Sequence, residues 1–510
     1  MNKYYLIVDC FTDEPAGLGV PPYIGTYPRY LAGALAKEHG AENVKYFTID
    51  DLRLKFLFKD HKKEGQQTNI LAKNLSKNYK HIQNILSNSE QAIVVAGLHT
   101  PGKYLSAQPG TMHELKLILP ELASQTGKCK TILTGPASEP GLGSRSEGGK
   151  ISEPIPKGLF HEIDHNYLGI NDYEKVAEFA IKGAFICSQH PDFSIIPAQN
   201  FVMAEIETGR GCSSGKCSFC TEPLKSKVGF REQIDILAEV KALHDFGIKN
   251  FRLGKQTCFY SYKFGKSEEI KKLLKPISEL KPDVLHIDNA SPRMVTEETT
   301  KLIVEYCTSG NIAAFGVESF DPAVIKANNL NTTPEEVTNA IKIINKYGKT
   351  RGENGMPIFL PGINIIFGLI GESKKTHEEN MHNLKAILDH DLWLRRINIR
   401  QVAVFPGTAL SKESCGGMKF LKKNKKYYWK WKNDIRQNID FPMLKKVIPE
   451  GTILRNLRTE IHDGHNTFCR QIGTYPIIVG IKQKLFLNQT INARIKGHML
   501  RSVVGELIQN

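Results

Sequence analysis

The stretch ETGRGCSSGKCSFCTEP, residues 207–223, brings Cys212, Cys217 and Cys220 within nine residues, directly after the apolar run FVMAEIET. An apolar run that ends in clustered thiols reads as a strand delivering ligands at its C-terminal end. Three chemistries suit such a trio. A structural zinc site takes four protein ligands, commonly as two paired half-sites; no second C-x-x-C is present, although His244 and Cys258 are available to complete one. A C-x-x-C redox pair leaves Cys212 without a role. An iron–sulfur cubane is held by thiolates at its irons, and three thiolates leave one iron open for a substrate or cofactor, so the fourth ligand need not come from the protein.

Outward from this stretch the chain repeats one unit, an apolar strand and then a helix. NFRLGKQ leads into a helix after Ser267, VLHIDNA precedes SPRMVTEETTKLIVEYC, and AAFGVES precedes DPAVIKANNLNTTPEEVTNAIKIINKYG. GINIIFGLIGES precedes KKTHEENMHNLKAILDH, and RINIRQVAVF closes the series. Six strands, counting the one that bears the cysteines, predict a parallel (β/α)6 partial barrel over 200–410. In such barrels the active site lies at the C-terminal strand ends. The polar residues there include Lys255, Gln256, Asp288, Glu318, Ser319, Glu372 and Arg400.

The segment before it, 1–199, alternates in the same way. YYLIVD, VKYFTI, AIVVAGL and CKTILTG read as strands, with helices in YPRYLAGALAKEHG, in a polar region near 68–88 and in MHELKLILPELASQ. This predicts a doubly wound, Rossmann-like domain. The Gly-rich loop GPASEPGLGSRSEGG (135–149) leaves a strand end, but its glycines do not follow G-x-G-x-x-G.

Composition limits the function classes. A chain of 510 residues, 41% hydrophobic and 24% charged, is long enough for two or three cores. No apolar run approaches the roughly 18–20 residues that span a bilayer, and the start MNKYYLIVDCF lacks a secretory cleavage site. The ten cysteines are dispersed apart from the trio, which suggests a reducing, cytoplasmic setting. Of the net charge of +15, twelve units lie after residue 410, where Lys and Arg outnumber Asp and Glu by 19 to 7. That asymmetry points to a polyanionic partner, nucleic acid before a membrane surface.

On these residues the central segment resembles the radical S-adenosylmethionine (SAM) superfamily. The superfamily's usual spacing is C-x3-C-x2-C, and this chain has C-x4-C-x2-C, the extra residue falling in SSGK. DEPAGLGVPPYI, KCSFCTEP, FRLGKQ, LHIDNASP, AAFGVESFDP, LPGINIIFGLIGES and RRINIRQVAVFPGT further resemble a mostly archaeal group of Fe–S oxidoreductases that usually carry a C-terminal helix-hairpin-helix module. No such repeat is read before Asn510, so DNA binding is not carried over.

The resemblance implies a 4Fe–4S cluster on Cys212, Cys217 and Cys220. It also implies SAM on the open iron, and a 5′-deoxyadenosyl radical that takes hydrogen from the substrate. It implies cofactor contacts from Phe219, Gly254, Glu318, Ser319, Gly368 and Gly371, and leaves Arg400, Lys255 and Asp288 as candidates for catalytic roles. A reductant such as ferredoxin or flavodoxin is implied as well. The first domain resembles the cobalamin-binding-like domain of cobalamin-dependent radical enzymes. Its early loop, DCFTDEPAGLG, contains no histidine for the Asp-x-His-x-x-Gly ligand motif, so cobalamin stays possible without support from that motif. Methylthiotransferases share the domain order, but Cys10, Cys129 and Cys187 are too dispersed to suggest their second cluster.

The tail supplies the substrate hint. KFLKKNKKYYWKWKND (419–434), within a basic, aromatic linker helix at 411–447, interleaves Lys422, Lys423, Lys425 and Lys426 with Trp429 and Trp431. That pattern suits phosphate contacts with base stacking; the same aromatics at helical spacing also suit packing onto the barrel. Short strand-like runs in 448–510, TILRNLRTEI, QIGTYPIIVGI, TINARIKG and LRSVVGELI, suggest a small β-barrel. Its position resembles the TRAM domain of tRNA methylthiotransferases, of OB-like kind. The expected function is a radical SAM enzyme modifying RNA, tRNA first, by methylation or methylthiolation. Two alternatives stand beside it. One is a cobalamin-dependent radical SAM methyltransferase acting on a protein or small molecule. The other is a non-catalytic, metal-stabilised RNA-binding protein.

Overall fold

The computed structural model describes residues 3–10, 23–57, 82–97, 110–126, 129–139, 155–189, 202–412 and 418–508. The loop 13–22, most of the polar region near 68–88 and the Gly-rich loop from 140 onward lie outside them. The chain divides into two compact units, Met1–Ile206 with Arg231–Phe251, and Glu207–Phe230 with Arg252–Asn510. Among the described residues no helix is long and apolar enough to cross a membrane.

The first unit is built on a parallel sheet ordered Val44–Thr48, Tyr4–Asp9, Ser89–Val95, Lys130–Thr134, Glu162–Ile163. Counted along the chain this is 2-1-3-4-5, the flavodoxin-like variant of the doubly wound fold. Alternate residues of each strand face opposite layers. Leu6, Val8, Ala92, Val94 and Leu133 pack with Leu115, Leu119 and Leu122 of the helix Met112–Thr126. Tyr5, Ile7, Ile93, Val95 and Ile132 face Leu31 and Leu35 of Thr26–His39 and Phe179 of Tyr173–Lys182. Two buried layers explain why these strands read as continuous apolar runs. Beneath the second layer Arg29, fully buried, donates to the carbonyls of Ile24 and Gly25 (3.0 and 2.9 Å) and to Glu239 Oε1 (2.7 Å).

The strands of the predicted barrel form in order. Met203–Glu207, Asn250–Gly254 and Val284–Ile287 are neighbours in one sheet, and Asn289–Ala290, Asn311–Glu318, Phe359–Phe367 and Arg396–Gln401 in a second, parallel one. Helices Ser267–Glu279, Glu297–Tyr306, Pro334–Gly348 and Lys374–Asp389 follow successive strands. Pro334–Gly348 shows the local causes. Thr333 and Glu336 make a reciprocal capping box, Pro334 occupies the first turn where its missing N–H costs nothing, and Val337, Ile341 and Ile344 form the buried stripe.

After the barrel come three short helices, Lys419–Asn424, Tyr428–Ile435 and Phe441–Val447, joined by tighter and wider turns where one helix was expected. The chain then closes a five-stranded barrel ordered Ile453–Asp463, Asn466–Gln471, Ile478–Ile481, Val503–Ile508, Thr490–His498. The third and fifth strands run parallel and the remaining pairs antiparallel, giving 1-2-3-5-4, an OB-like barrel. Leu454, Leu457, Val479, Ala493 and Ile495 fill it.

QIGTYPIIVGI is not one strand. Its loop, 472–477, inserts at the foot of the (β/α) barrel, where Pro476 cannot donate to a ladder. The Thr474 N–H donates to His286 Nδ1 (3.2 Å), Arg395 donates to the Tyr475 carbonyl (3.0 Å), and the Arg396 guanidinium lies 4.5 Å from the Tyr475 ring centroid. Tyr475 packs on Ile312 and Ala314.

Candidate active site

The cysteine loop leaves its strand through Gly209–Arg210, which pairs antiparallel with Gly229–Phe230. Glu222 Oε1 accepts the Gly211 N–H at 3.0 Å and holds the loop closed. Ser218, buried between the close pair of cysteines, is the pin. Its N–H donates to Asn328 O (2.9 Å) and its hydroxyl to Asn328 Oδ1 (2.7 Å), while the Leu410 N–H donates to its carbonyl (2.7 Å). The extra residue of C-x4-C is absorbed at Gly215, whose φ of +56° costs a glycine little and whose N–H points to Cys212 Sγ at 3.5 Å.

Cys212, Cys217 and Cys220 are half-buried and free. Burial pushes the Cys217 thiol up to about 12, helped by the negative charge of Cys220, Glu318 and Cys212. The Cys220 thiol rises to about 11, again chiefly through burial, opposed by a hydrogen bond from the Glu222 backbone and helped by the charges of Glu222 and Cys212. Cys217 thus feels the charge of Cys220, Cys212 and Glu318, and Cys220 that of Cys212. Among the described residues no three His, Cys, Asp or Glu side chains gather around a single metal ion. A cubane takes its thiolates at separate irons, and three free thiols on one loop fit it in number and type. Its positive charge would reverse the unfavourable electrostatics by holding thiolates deprotonated. Cys258 stands apart, buried, its sulfur accepting the Ser291 N–H at 3.2 Å.

Phe219 packs on an apolar wall of Val324, Leu369, Val402, Val404 and Leu410. Across the cleft Glu318 has a left-handed backbone (φ +66°) and a buried Oε2 without a hydrogen-bond partner. Burial raises its carboxyl to about 8, and Arg400 pulls against that shift. The Arg400 guanidinium meets the Asn398 amide oxygen at 2.8 and 3.1 Å when that amide is turned toward it. An orphaned carboxylate oxygen beside an arginine is a ready acceptor for hydroxyls of a bound ligand.

The other expected site residues fall in several places. Gly254 ends the second strand, its carbonyl accepting the Thr208 N–H (3.3 Å), and Lys255 follows half-buried at φ +65°. Gly368 and Gly371 both have positive φ (+99° and +85°). The Gly368 N–H donates to Glu372 Oε2 at 2.7 Å. Ser319 spends its hydroxyl accepting the Asp321 N–H (3.1 Å). Asp288 lies inside the barrel, fully buried, with one carboxylate oxygen on Arg252 and the other accepting Tyr475 OH at 3.2 Å.

Lys422, Lys423, Lys425 and Lys426 are exposed on the tail helices, and Trp429 is 71% exposed beneath Lys432. Trp431 is instead buried, stacked between His377 and Tyr427 (5.3 and 5.4 Å). Sequence reasoning missed Asn328, which anchors the cysteine loop from the end of the helix Pro322–Ala327; its polarity at a helix C-terminus was the available signal.

Residues 206–384 match the model of the radical SAM superfamily. The chain is 40% identical to an uncharacterised protein of Methanocaldococcus jannaschii over 99% of this chain and 93% of that protein. It is 40% identical to an uncharacterised protein of Archaeoglobus fulgidus over 98% and 88%. It is 25% identical to the ribosomal protein uS12 methylthiotransferase RimO of Clostridioides difficile over 45% and 50%. Among solved structures the radical SAM methyltransferase TsrM from Kitasatospora setae superposes with a TM-score of 0.52 at 16% identity, covering 81% of this chain and 75% of that one, a likeness of fold. A matching superfamily segment, three thiols at the first strand end and two full-length archaeal relatives lead to one conclusion: this chain belongs to the radical SAM superfamily.

Proposed function

We propose that the protein is a radical SAM transferase that modifies RNA, tRNA first, by methyl or methylthio transfer. The observation that carries this reading is the five-stranded barrel ordered 1-2-3-5-4, which lies in the same unit as the strand-end cleft, together with the exposed lysines of the preceding helices. Barrels of this topology bind oligonucleotides across their strands and loops. Lys482 and Lys484 lie exposed near Phe486, which is 82% exposed, on one connection of the barrel.

When bound, the cluster and SAM supply one-electron cleavage chemistry at the cleft. The chain's own residues do the rest. Cys212, Cys217 and Cys220 hold the cluster, and Phe219 with its apolar wall excludes water. Glu318 accepts hydrogen bonds from ribose hydroxyls, Arg400 neutralises the cofactor carboxylate, and the backbone at Gly254 receives the methionyl amine. A low-potential electron donor completes the system.

A comparison of tRNA nucleoside mass spectra from cells with and without the gene tests the reading; loss of a methylated or methylthiolated nucleoside supports it, and identical spectra refute it. A second reading is methyl transfer to a protein or small molecule with cobalamin in the first unit. It draws on the 2-1-3-4-5 sheet and on the likeness of fold to TsrM, which has been solved with cobalamin bound. Corrinoid retained by the purified protein would favour it.

A further inference from the structure

Beside the cysteine loop the second unit holds a partly open cavity of ≈170 Å³, lined by Gly211, Val228, Phe230, Gln256, Phe264 and Met294 among others. The volume falls below the few hundred Å³ of sites that enclose drug-sized ligands, so it suits one planar ring. Its floor is unusual. Gln256 is only 3% exposed, and neither its amide oxygen nor its amide nitrogen has a hydrogen-bond partner. A buried amide left unpaired at both poles is costly, which marks a group waiting for a ligand. A primary amide offers one donor and one acceptor side by side, the pairing that a nucleobase edge returns.

The rim is equally specific. Lys263, Phe264 and Gly265 take left-handed backbone conformations in succession (φ +47°, +64° and +77°). Two of the three are not glycine, so the turn is strained. The strain holds Phe264 at the cavity mouth, 78% exposed, with Phe230 edge-on to it at 5.2 Å. An aromatic face kept in water over a pit with an unpaired amide suits stacking on a base. Lys227 and Lys263 are next in sequence to the lining residues Val228 and Phe264.

We propose that this cavity takes a single nucleobase presented by the substrate, Gln256 reading its edge and Phe264 stacking on its face. The identification of that base as one flipped out of an RNA strand rests on the function proposed above. The adenine of SAM shares the same chemistry, so the test separates the two sources.

The full-length protein, with its cluster reconstituted anaerobically, is titrated with AMP, GMP, CMP and UMP by ligand-observed NMR. S-adenosylhomocysteine is the competitor. The expected result is a preference for one nucleotide that persists when S-adenosylhomocysteine is saturating. Gln256→Leu and the isosteric Gln256→Glu weaken that nucleotide by about tenfold or more. Phe264→Ala, at an exposed position, weakens all four by roughly fivefold to a hundredfold. Iron content stays unchanged in each variant. Equal binding of all four nucleotides by wild type and variants overturns the pocket, and so does complete displacement by S-adenosylhomocysteine. If both Gln256 variants and Phe264→Ala bind and modify tRNA as wild type does, the pocket fails and the RNA reading survives. If the protein shows no tRNA affinity yet holds a mononucleotide in a Gln256-dependent way, the RNA reading fails and the pocket stands.

Discussion

The sharpest test of the tail separates charge from stacking. Lys422, Lys423, Lys425 and Lys426 are all exposed, and Lys426 lies over a neighbouring ring, 5.0 Å from the Tyr427 centroid. Each lysine that neutralises a phosphate releases counterions and adds about 0.7 to 0.9 to the slope of log affinity against log salt. With three or four of them engaged, replacing all four by Gln makes the slope shallower by roughly 2 to 3. Over a fourfold rise in salt the variant therefore loses roughly 15- to 60-fold less affinity than wild type. Trp429→Ala attacks a different quantity. The ring is 71% exposed, so its loss leaves the fold and the slope unchanged while removing about 1–3 kcal/mol of base stacking. Trp431→Ala is the internal control. That ring is 4% exposed and sandwiched by His377 and Tyr427, so truncation costs about 3–5 kcal/mol of stability before any effect on RNA. Fluorescence anisotropy of labelled tRNA across a KCl series reads the slopes, and thermal melting reads stability. A wild-type slope in the four-lysine variant would refute the phosphate-tracking argument.

Further outcomes follow from the site and the core. Changing Cys212, Cys217 and Cys220 together to Ala abolishes iron binding and visible absorption after anaerobic reconstitution; iron at wild-type stoichiometry would reject the ligand assignment. Glu318→Ala weakens SAM binding in calorimetry with iron content intact, since its unpartnered oxygen is offered to the ligand rather than to the fold. Asp288→Ala removes the carboxylate that pairs with the buried Arg252 guanidinium and costs about 3–5 kcal/mol in denaturant unfolding, and an unchanged midpoint would count against the pairing. Glu372 is 1% exposed, and burial raises its carboxyl to about 7 against the partial relief of the Gly368 N–H and Asn424. Between its unfolded value of 4.5 and about 7 the native state binds the extra proton, so this group's contribution makes stability fall as pH rises through that window, by about 3 kcal/mol. Glu372→Gln should flatten that part of the profile; an unaltered pH dependence would assign the slope to other groups.

Much of this protein was legible in one dimension. The six strands of the barrel, the doubly wound alternation of the first domain and the thiol-bearing strand end all rest on local periodicity. Burial on two faces makes a parallel strand apolar throughout, and a capped helix shows its stripe within one window. The cysteine spacing is local too, and its extra residue needed only Gly215 to be absorbed. What distant segments decide could not be read this way. Asp288 stands at a strand end like Glu318, yet Arg252 and a tyrosine 187 residues away occupy its carboxylate, while Glu318 keeps an oxygen free. Trp429 and Trp431 are two residues apart, and the helical turn, with His377 on the facing helix, sends one to solvent and the other into the core. Gln256 carried no sign of its unpaired amide, because an absent partner exists only once every neighbour is in place. Sequence determines which groups a segment offers; the tertiary contacts of far-removed segments determine which are consumed by folding and which remain for a ligand.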